Sequence, residues 1–267
     1  MTPDEIQSGL AKLGWWYHNI DLGHGIWTNP SDPRAYDPQI RWRLIEPYVL
    51  ATLDGKTVLD LGCACGYFSV MMKKRGARRV LGIDLVEGSI NQAKFLADVY
   101  NVDVDFRVED VYHFCLTNEE VFDYVLFLGL FYHLRHPLLV LDHVAAITRE
   151  RLYFQSIVRG ASHLEALEVK DDYPHDEQNV FENREFPKMF FIEKLLNKDP
   201  TNWWVANGPG LEGILRSAGL EIIQRLGIEE FVCKPIRKPG SMKICEHAWV
   251  PVITKNMRSA NKSKKIS

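Results

Sequence analysis

Two glycines and an acidic residue surround the point where an apolar stretch of the sequence ends. The run Val58-Leu59-Asp60-Leu61 leads into Gly62-Cys63-Ala64-Cys65-Gly66, and a helical pattern begins at Tyr67. Glycine lets a backbone approach a ligand closely and adopt a positive φ, and the first turn of a helix offers free N–H groups. The spacing Asp-x-Gly-x-x-x-Gly lacks the tight turn of a dinucleotide site, and Asp60 would repel a pyrophosphate. The loop Asp60–Gly66 therefore favours a cofactor that carries a cationic amino group.

Two further acidic residues follow the next predicted strands. Asp84 comes 22 residues after Gly62, at a position where a carboxylate can bind both ribose hydroxyls of an adenosine. The alternative role for Asp84 is to cap the helix that follows. Asp110 could accept a hydrogen bond from the adenine amino group, or it could be a solvated loop acid. Together with Asp60, these residues predict S-adenosylmethionine (SAM), and not NAD, as the cofactor.

The segment Phe127–Leu134 ends the fourth predicted strand, where a transferring methyl group would meet its acceptor. Methyl transfer from a sulfonium mainly requires alignment and exclusion of water, and a base is needed only if the acceptor must lose a proton. His133 is the first candidate base because histidine titrates in the right range; alternatively, it only orients the loop. His18 and His24, near the N-terminus, are the next candidates. Tyr132 is expected to contact the cofactor and not to act as a base.

Strands and helices alternate along the part of the sequence that must position these residues. Predicted strands cover residues 57–61, 79–83, 102–108, 122–128 and 151–158, with helices at 67–75, 88–100 and 137–147. After a helix at 210–217, the last two strands are predicted at 220–226 and 244–253. This pattern predicts an α/β fold, with a Rossmann-like, doubly wound, mostly parallel seven-stranded sheet and helices on both faces.

The remaining segments predict a cap, an insertion and a tail. Residues 1–45 form an N-terminal helical and aromatic cap, with helical spacing at 4–14 and again from about residue 40 to 50. Residues 46–254 are expected to form the main α/β domain, with an insertion at about 160–205. Residues 255–267 are expected to form a basic, disordered tail. The aromatic residues of the cap could stack on a flat substrate or seal the cap to the sheet; they are Trp15, Trp16, Tyr17 and Trp27. Trp203-Trp204 of the insertion could form the far wall of the pocket, with the same alternative.

Composition excludes several classes of protein. The 267 residues include 46% hydrophobic residues, enough for a large core, and the net charge of −3 provides no global basic field for nucleic acid. The N-terminal residues lack the features of a signal peptide, and no apolar run approaches the roughly 20 residues that span a bilayer. We therefore expect a cytoplasmic protein without membrane contact. The five scattered cysteines predict neither a disulfide framework nor a metal site.

The order of Asp60–Gly66, Asp84, Asp110 and the segment after the fourth strand resembles class I SAM-dependent methyltransferases. The element Gly129–Leu138 is similar, more specifically, to the tRNA wobble-uridine carboxymethyltransferases and their methyltransferase relatives, as are Asp21, Trp27 and Arg41-Trp42 upstream. The resemblance covers roughly residues 14–157. It implies that SAM is lined by residues from the cap, the loop and the strand ends: Trp27, Arg41, Gly62, Asp84, Leu85, Val86, Asp110, Val111, Leu128 and Tyr132.

Two departures from that family bear on the cofactor. The carboxymethyl-transferring members have a lysine where this chain has Leu13, and their C-terminal arginine has no match here. Those cations hold the extra carboxylate of carboxy-SAM. Because two charge-assisted contacts of about 1.5–3 kcal/mol each are missing, the resemblance implies a relative that uses ordinary SAM.

Three functions remain open from the sequence. The first is methylation of a small molecule or biosynthetic intermediate at an oxygen, nitrogen or carbon atom. The second is modification of tRNA at the wobble uridine; Arg34, Arg41, Arg43 and the basic tail could contact phosphates, although acidic residues within 165–185 argue against this. The third is a non-enzymatic SAM-binding or scaffold protein. The sequence indicates no oligomeric state.

Overall fold

Alternating strands and helices form most of the chain. The computed structural model describes residues 1–32, 35–160, 170, 173 and 178–236. The helices are α1 (Pro3–Lys12), α2 (Pro38–Ile45), α3 (Tyr67–Lys74), α4 (Glu87–Tyr100), α5 (Val111–Thr117), α6 (Pro137–Ile147) and α7 (Gly208–Ser217). The strands are β1 (Thr57–Leu61), β2 (Arg79–Asp84), β3 (Asp105–Val108), β4 (Phe122–Leu128), β5 (Thr148–Gln155), β6 (Met189–Phe191), β7 (Trp204–Ala206), β8 (Leu220–Arg225) and β9 (Glu230–Pro235). No helix within these ranges is both long and apolar enough to cross a membrane.

Seven of the strands form one sheet in the order β3-β2-β1-β4-β5-β9-β8. The pairs among β1 to β5 are parallel, whereas β9 runs antiparallel to both of its neighbours. The predicted α/β class, with a mostly parallel seven-stranded sheet, is therefore confirmed. The strand order reverses direction between β1 and β4, and ligands of doubly wound sheets bind beside such a point.

Side chains of the central strands alternate between two apolar layers. Val58 and Leu126 pack towards the cap, α3 and α4, whereas Leu59 and Phe127 pack towards α5, α6 and α7. Because successive residues of a strand point to opposite faces, both faces of the sheet are covered and every residue of β1 and β4 is buried. This burial on both sides explains why these strands are nearly continuous apolar runs.

The N-terminal cap is attached to the sheet through α4 and the core. Trp16 is fully buried, with its ring edge-on to that of Phe95, and Gln92 Nε2 donates to the carbonyls of Leu13 and Trp15 at 3.0 and 2.8 Å. Of the two predicted roles for the aromatic residues of the cap, Trp16 therefore has the second, which is to seal the cap to the rest of the fold. Trp15 and Tyr17, in contrast, are about half exposed.

Several features differ from the sequence-based prediction; among them, β5 begins and ends three residues earlier than predicted, and β6 and β7 were not predicted as strands. The seventh strand is Glu230–Pro235, which the sequence analysis did not predict. Helix α5 was missed because it is only seven residues long. Strand β3 begins at Asp105, three residues later than predicted. The strand predicted at 244–253 and the basic tail lie outside the described residues. The same holds for Arg34 and for four of the acidic residues within 165–185, which are Asp171, Asp172, Asp176 and Glu177.

Candidate functional site

The residue register brings the predicted site residues to one edge of the sheet. Asp60 pairs with Gly82, and Asp84 with Val108, so that β1, β2 and β3 end side by side. Leu128 pairs with Gln155 in the same way at the ends of β4 and β5. We call this side, where the parallel strands end, the carboxyl edge. The loops after β1, β2, β3 and β4 therefore surround a common space.

The loop after β1 depends on its two glycines. Gly62 and Gly66 both have positive φ values, +67° and +77°, which L-residues rarely adopt. A Cβ atom on Gly66 would lie 2.7 Å from both the Ala93 side chain and the Phe106 ring. Gly66 is thus required for the turn into α3 and for its close packing against α4 and β3. Cys63 and Cys65, beside it, are buried, and Ala64 has a φ of +48°.

Asp84 ties the loop after β1 to the loop after β2. Its Oδ2 accepts from the Ala64 N–H and its Oδ1 from the Val86 N–H, both at 2.9 Å. Its side chain does not cap α4, whose N-cap is Val86. Each carboxylate oxygen has a second lone pair, so Asp84 retains the capacity to bind a further donor. Leu85 and Val86 are exposed by 66% and 57%, which leaves an apolar surface directly beside this carboxylate.

Asp110 acts as the N-cap of α5. Its Oδ1 accepts from the N–H groups of Tyr112 and His113 at 2.8 and 3.1 Å. This capping role was not predicted, and it leaves the second carboxylate oxygen for another donor. Val111, the first residue of α5, is half-buried and packs on the core beneath.

Asp60 is buried below the loop. Ser69 Oγ donates to its Oδ2 at 2.5 Å. The pKa of Asp60 is raised to about 7; burial is the main cause, the Ser69 hydrogen bond opposes the shift, and the neighbouring charge of Asp84 adds to it. A nearby cation favours the ionised form of such a buried carboxylate.

The cap contributes Arg41 to the same region. Its guanidinium lies over the Tyr36 ring at 5.2 Å, and its Nε lies 3.6 Å from Glu230 Oε1. That Nε is buried without a hydrogen-bond partner. Trp27 lies half-buried in the cap and pairs through its backbone with Asp21.

The loop after β4 holds Tyr132 and His133. Their rings are 4.3 Å apart, and burial raises the pKa of Tyr132 to about 12. Burial also lowers the pKa of His133 below its usual 6.5, although Asp199 and the Thr201 backbone partly oppose this shift. His133 is therefore mostly neutral at neutral pH, and its side chain keeps 30% of its surface exposed. These properties suit a proton acceptor.

His18, the second candidate base, is buried beneath the cap. His18 is 5% exposed and lies between the cap and α3, with its Nδ1 3.0 Å from Cys65 Sγ. Burial, together with the charge of Arg41, lowers the pKa of His18 to about 3. His18 therefore remains neutral and packs in the core, where a base in contact with solvent or substrate is not expected. His24 lies in an exposed turn of the cap, with a φ of +55°.

Three polar residues at this edge were not predicted. Gln155 ends β5, is 1% exposed, and donates through Nε2 to Glu229 Oε2 at 2.9 Å. Its Oε1 is buried without a partner. Glu230 is the first residue of the strand that was missed, and Glu229 directly precedes it. The sequence does contain a signal for Gln155, because a polar residue directly follows the apolar run Leu152–Phe154 at the end of a strand.

Comparison with known proteins gives three kinds of match. A family model described as a methyltransferase domain matches residues 58–151. The chain is 30% identical over 168 residues to a ubiquinone biosynthesis O-methyltransferase of Coxiella burnetii, covering 60% of this chain and 67% of that protein. It is 28% identical over 190 residues to a tRNA U34 carboxymethyltransferase of Pseudomonas putida, covering 69% of this chain but about half (51%) of that protein.

Solved structures show the same fold. The N-terminal domain of EvdMO1, crystallised with S-adenosylhomocysteine (SAH) bound, superposes with a TM-score of 0.61. The match covers 87% of this chain and 96% of that domain at 24% identity. The complete EvdMO1 structure gives a TM-score of 0.54, and this chain covers 46% of it.

Proposed function

Because the chain belongs to the class I SAM-dependent methyltransferases, we propose that it methylates a hydroxyl group of a small molecule. SAM is its cofactor. The observation that carries the proposal is the neutral, partly exposed His133 beside Tyr132, at the edge where the cofactor loop ends. An oxygen acceptor agrees with the relative named as an O-methyltransferase.

The residues of the carboxyl edge fit the parts of SAM. Asp84 has free lone pairs for the ribose hydroxyls, and the exposed side chains of Leu85 and Val86 offer apolar cover for the adenine. The free oxygen of Asp110 suits the adenine amino group. Asp60, whose ionisation is disfavoured beside Asp84, suits the cationic amino group of the methionyl part. We also assign Gly62, Cys63, Ala64, Gly66, Val111, Leu128, Tyr132, Trp27 and Arg41 to the lining of this site.

When bound, SAM supplies an electrophilic methyl group on a sulfonium. A neutral hydroxyl is a weak nucleophile, so we assign His133 as the base that accepts its proton at Nε2. In that transfer the methyl carbon would pass from sulfur to the acceptor oxygen and SAH would be released as a neutral thioether, while His133 would take the proton that the hydroxyl loses. The proton on His133 then passes to solvent through the exposed part of the ring. The main contribution of the surrounding loops is to align the acceptor and exclude water.

Charge at the site mouth favours a small molecule over tRNA. Asp84, Asp199, Glu229 and Glu230 lie around the carboxyl edge. Arg41 is engaged by Glu230, and Arg159 lies 3.4 Å from Glu229 Oε1. Arginines that are engaged by carboxylates in this way are less available to a phosphate backbone.

The tRNA alternative rests on one comparison. The carboxymethyltransferase relative aligns with 69% of this chain. At the position where the carboxymethyl-transferring members have a lysine, this chain has Leu13, which packs partly buried against the core under the cap. The wobble uridine therefore remains the second candidate acceptor, with methyl and not carboxymethyl as the transferred group.

Tritium-labelled SAM, incubated with the protein and two acceptor fractions, tests the proposal. The fractions are a small-molecule extract and the total tRNA of the source cells. We expect label in the small-molecule fraction, in a product that resists mild alkali as an ether does. Label in tRNA would contradict the proposal, and so would a product methylated at carbon or nitrogen.

We expect the affinity for SAH to increase as the pH rises through about 7, the pKa of Asp60. Below this pH Asp60 is protonated and does not attract the ammonium of the ligand; above it the carboxylate does. The dissociation constant at pH 6 should exceed that at pH 8 by several-fold. This stays within the limit of about tenfold per pH unit that a single coupled ionisation allows. Isothermal titration calorimetry across this range measures the effect.

Asp60→Asn should remove most of this pH dependence and weaken binding at pH 8. Asp98→Asn, on the exposed face of α4, is the matched control and should behave as wild type. A wild-type affinity that does not change with pH would refute the role of Asp60, as would the same pH dependence in Asp60→Asn.

A further inference from the structure

The insertion is fastened to the loop that carries His133. The Trp203 N–H donates to the Tyr132 carbonyl at 2.8 Å, and Trp204 Nε1 donates to the Arg135 carbonyl at 3.3 Å. The Arg135 guanidinium lies 5.0 Å from the Phe191 ring centre and 4.9 Å from that of Trp203. The hairpin formed by β6 and β7, with the segment between them, is therefore held directly against the candidate base.

One contact within this interface involves the imidazole itself. His133 Nδ1 lies 2.8 Å from Thr201 Oγ1 and 3.3 Å from the Thr201 carbonyl oxygen. Asp199 Oδ1 accepts from the Thr201 N–H at 2.7 Å and from the Thr201 hydroxyl at 2.6 Å. Because the hydroxyl gives its only proton to Asp199, its oxygen faces Nδ1 as an acceptor.

This arrangement determines which ring nitrogen of His133 carries the proton. Both Thr201 atoms near Nδ1 act as hydrogen-bond acceptors, so Nδ1 must be the donor. A neutral imidazole has one donor and one acceptor nitrogen. The lone pair therefore lies on Nε2, the nitrogen that a base would use.

We propose that Thr201 and Asp199 are positioning residues, which hold His133 as the Nδ1–H tautomer and orient Nε2 towards the acceptor. The role in catalysis rests on the proposed function of His133 as a base, whereas the tautomer does not. The segment from β6 to β7 then supplies part of the reaction machinery. Its hairpin must be docked for the base to be correctly protonated.

The groups that face His133 also define its titration. Tyr132 lies on its own loop, and Asp199, with Oδ2 4.0 Å from Nδ1, faces it from the hairpin. Asp199 and the Thr201 backbone favour the imidazolium, although burial outweighs them. Loss of the Asp199 carboxylate, or of the Thr201 hydroxyl that accepts from Nδ1–H, should move the titration of His133 to lower pH.

Nitrogen NMR of the full chain, with ¹⁵N-labelled histidine, tests the inference without a substrate. The His133 signals are assigned by their loss in His133→Gln. At neutral pH we expect a protonated Nδ1 and an unprotonated Nε2. In Thr201→Val, which keeps the shape of the side chain but lacks the hydroxyl, a mixture of tautomers and a lower titration midpoint are expected. Thr201→Ser, which restores the hydroxyl, should return both properties to wild type.

Turnover of tritium-labelled SAM with the small-molecule fraction as acceptor provides the second measurement. Thr201→Val should lower kcat about fivefold to tenfold, as expected for one net hydrogen bond, with KM within about twofold of wild type. Thr201→Ser should retain the wild-type kcat. A protonated Nε2 in the wild type would overturn the inference, as would equal impairment of the Val and Ser variants. If the tautomer is found as expected but His133→Gln turns over normally, the proposed base fails and the tautomer assignment stands.

Discussion

Replacement of His133 by glutamine is expected to lower kcat by about 10²-fold or more, the range that general-base catalysis supplies. Glutamine has a similar reach and can form a hydrogen bond with Thr201, but it cannot accept the proton of a hydroxyl. The affinity for SAH should change little, because His133 itself is not among the residues assigned to the cofactor. The comparison of kcat with the calorimetric dissociation constant therefore separates chemistry from cofactor binding.

The pH profile provides an independent check of the same residue. Because burial lowers the pKa of His133 below 6.5, the wild-type kcat should be constant near neutral pH and should fall only at lower pH, as the imidazole becomes protonated. This acidic limb should be absent from the residual activity of His133→Gln. His136→Gln, an exposed histidine on the same loop, is the control and should match wild type. A His133→Gln variant with wild-type kcat would show that the residue only orients the loop.

Replacement of Asp84 by alanine is expected to weaken SAH binding by about 10²-fold or more. Hydrogen bonds to a charged partner contribute about 1.5–3 kcal/mol each. The alanine variant would lose the hydrogen bonds from both ribose hydroxyls together. Asp84→Asn keeps the size and one acceptor oxygen, so it should fall between alanine and wild type. Isothermal titration calorimetry with SAH gives the three dissociation constants.

The controls for Asp84 address its structural role. The carboxylate also accepts from the N–H groups of Ala64 and Val86, so thermal unfolding must show that each variant is folded under the assay conditions. Glu87→Gln removes an exposed carboxylate from the first turn of α4 and should leave SAH affinity unchanged. Unchanged affinity in a folded Asp84→Ala protein would contradict the assignment of the ribose site.

The central half of the fold was predictable because its strands are buried on both faces. Thr57–Leu61, Phe122–Leu128 and Pro137–Ile147 were predicted with the bounds that the structure shows. Each is a mostly apolar run that is flanked by polar, glycine or proline residues. Once the strands were located, the loops at their carboxyl ends followed from the rule that parallel strands finish at one edge.

Composition misled the prediction at the end of the sheet. Glu230–Pro235 contains charged residues at both ends and only three buried residues in its centre, so it does not resemble a buried strand. The more apolar segment 244–253 was chosen in its place. Because this strand was missed, Glu229 and Glu230 were not predicted at the site either. They lie there because β9 pairs with β5, with Glu230 opposite Gln155.

Long-range contacts in irregular segments could not be predicted from the sequence. His18 and His133 both follow an aromatic residue, yet one is packed against Cys65 and the other is partly exposed at the site. No periodicity indicates which side of an irregular segment faces the core. The contact between His133 and Thr201 joins positions 68 residues apart, and it depends on how the insertion folds back over the sheet.

A crystal structure of the protein with SAH bound tests the central claim most directly. We predict that the ribose hydroxyls lie within hydrogen-bonding distance of the Asp84 carboxylate. The sulfur should point towards the space in front of His133 Nε2. A ligand bound away from the carboxyl edge would contradict the account, and so would a ribose bound without contact to Asp84.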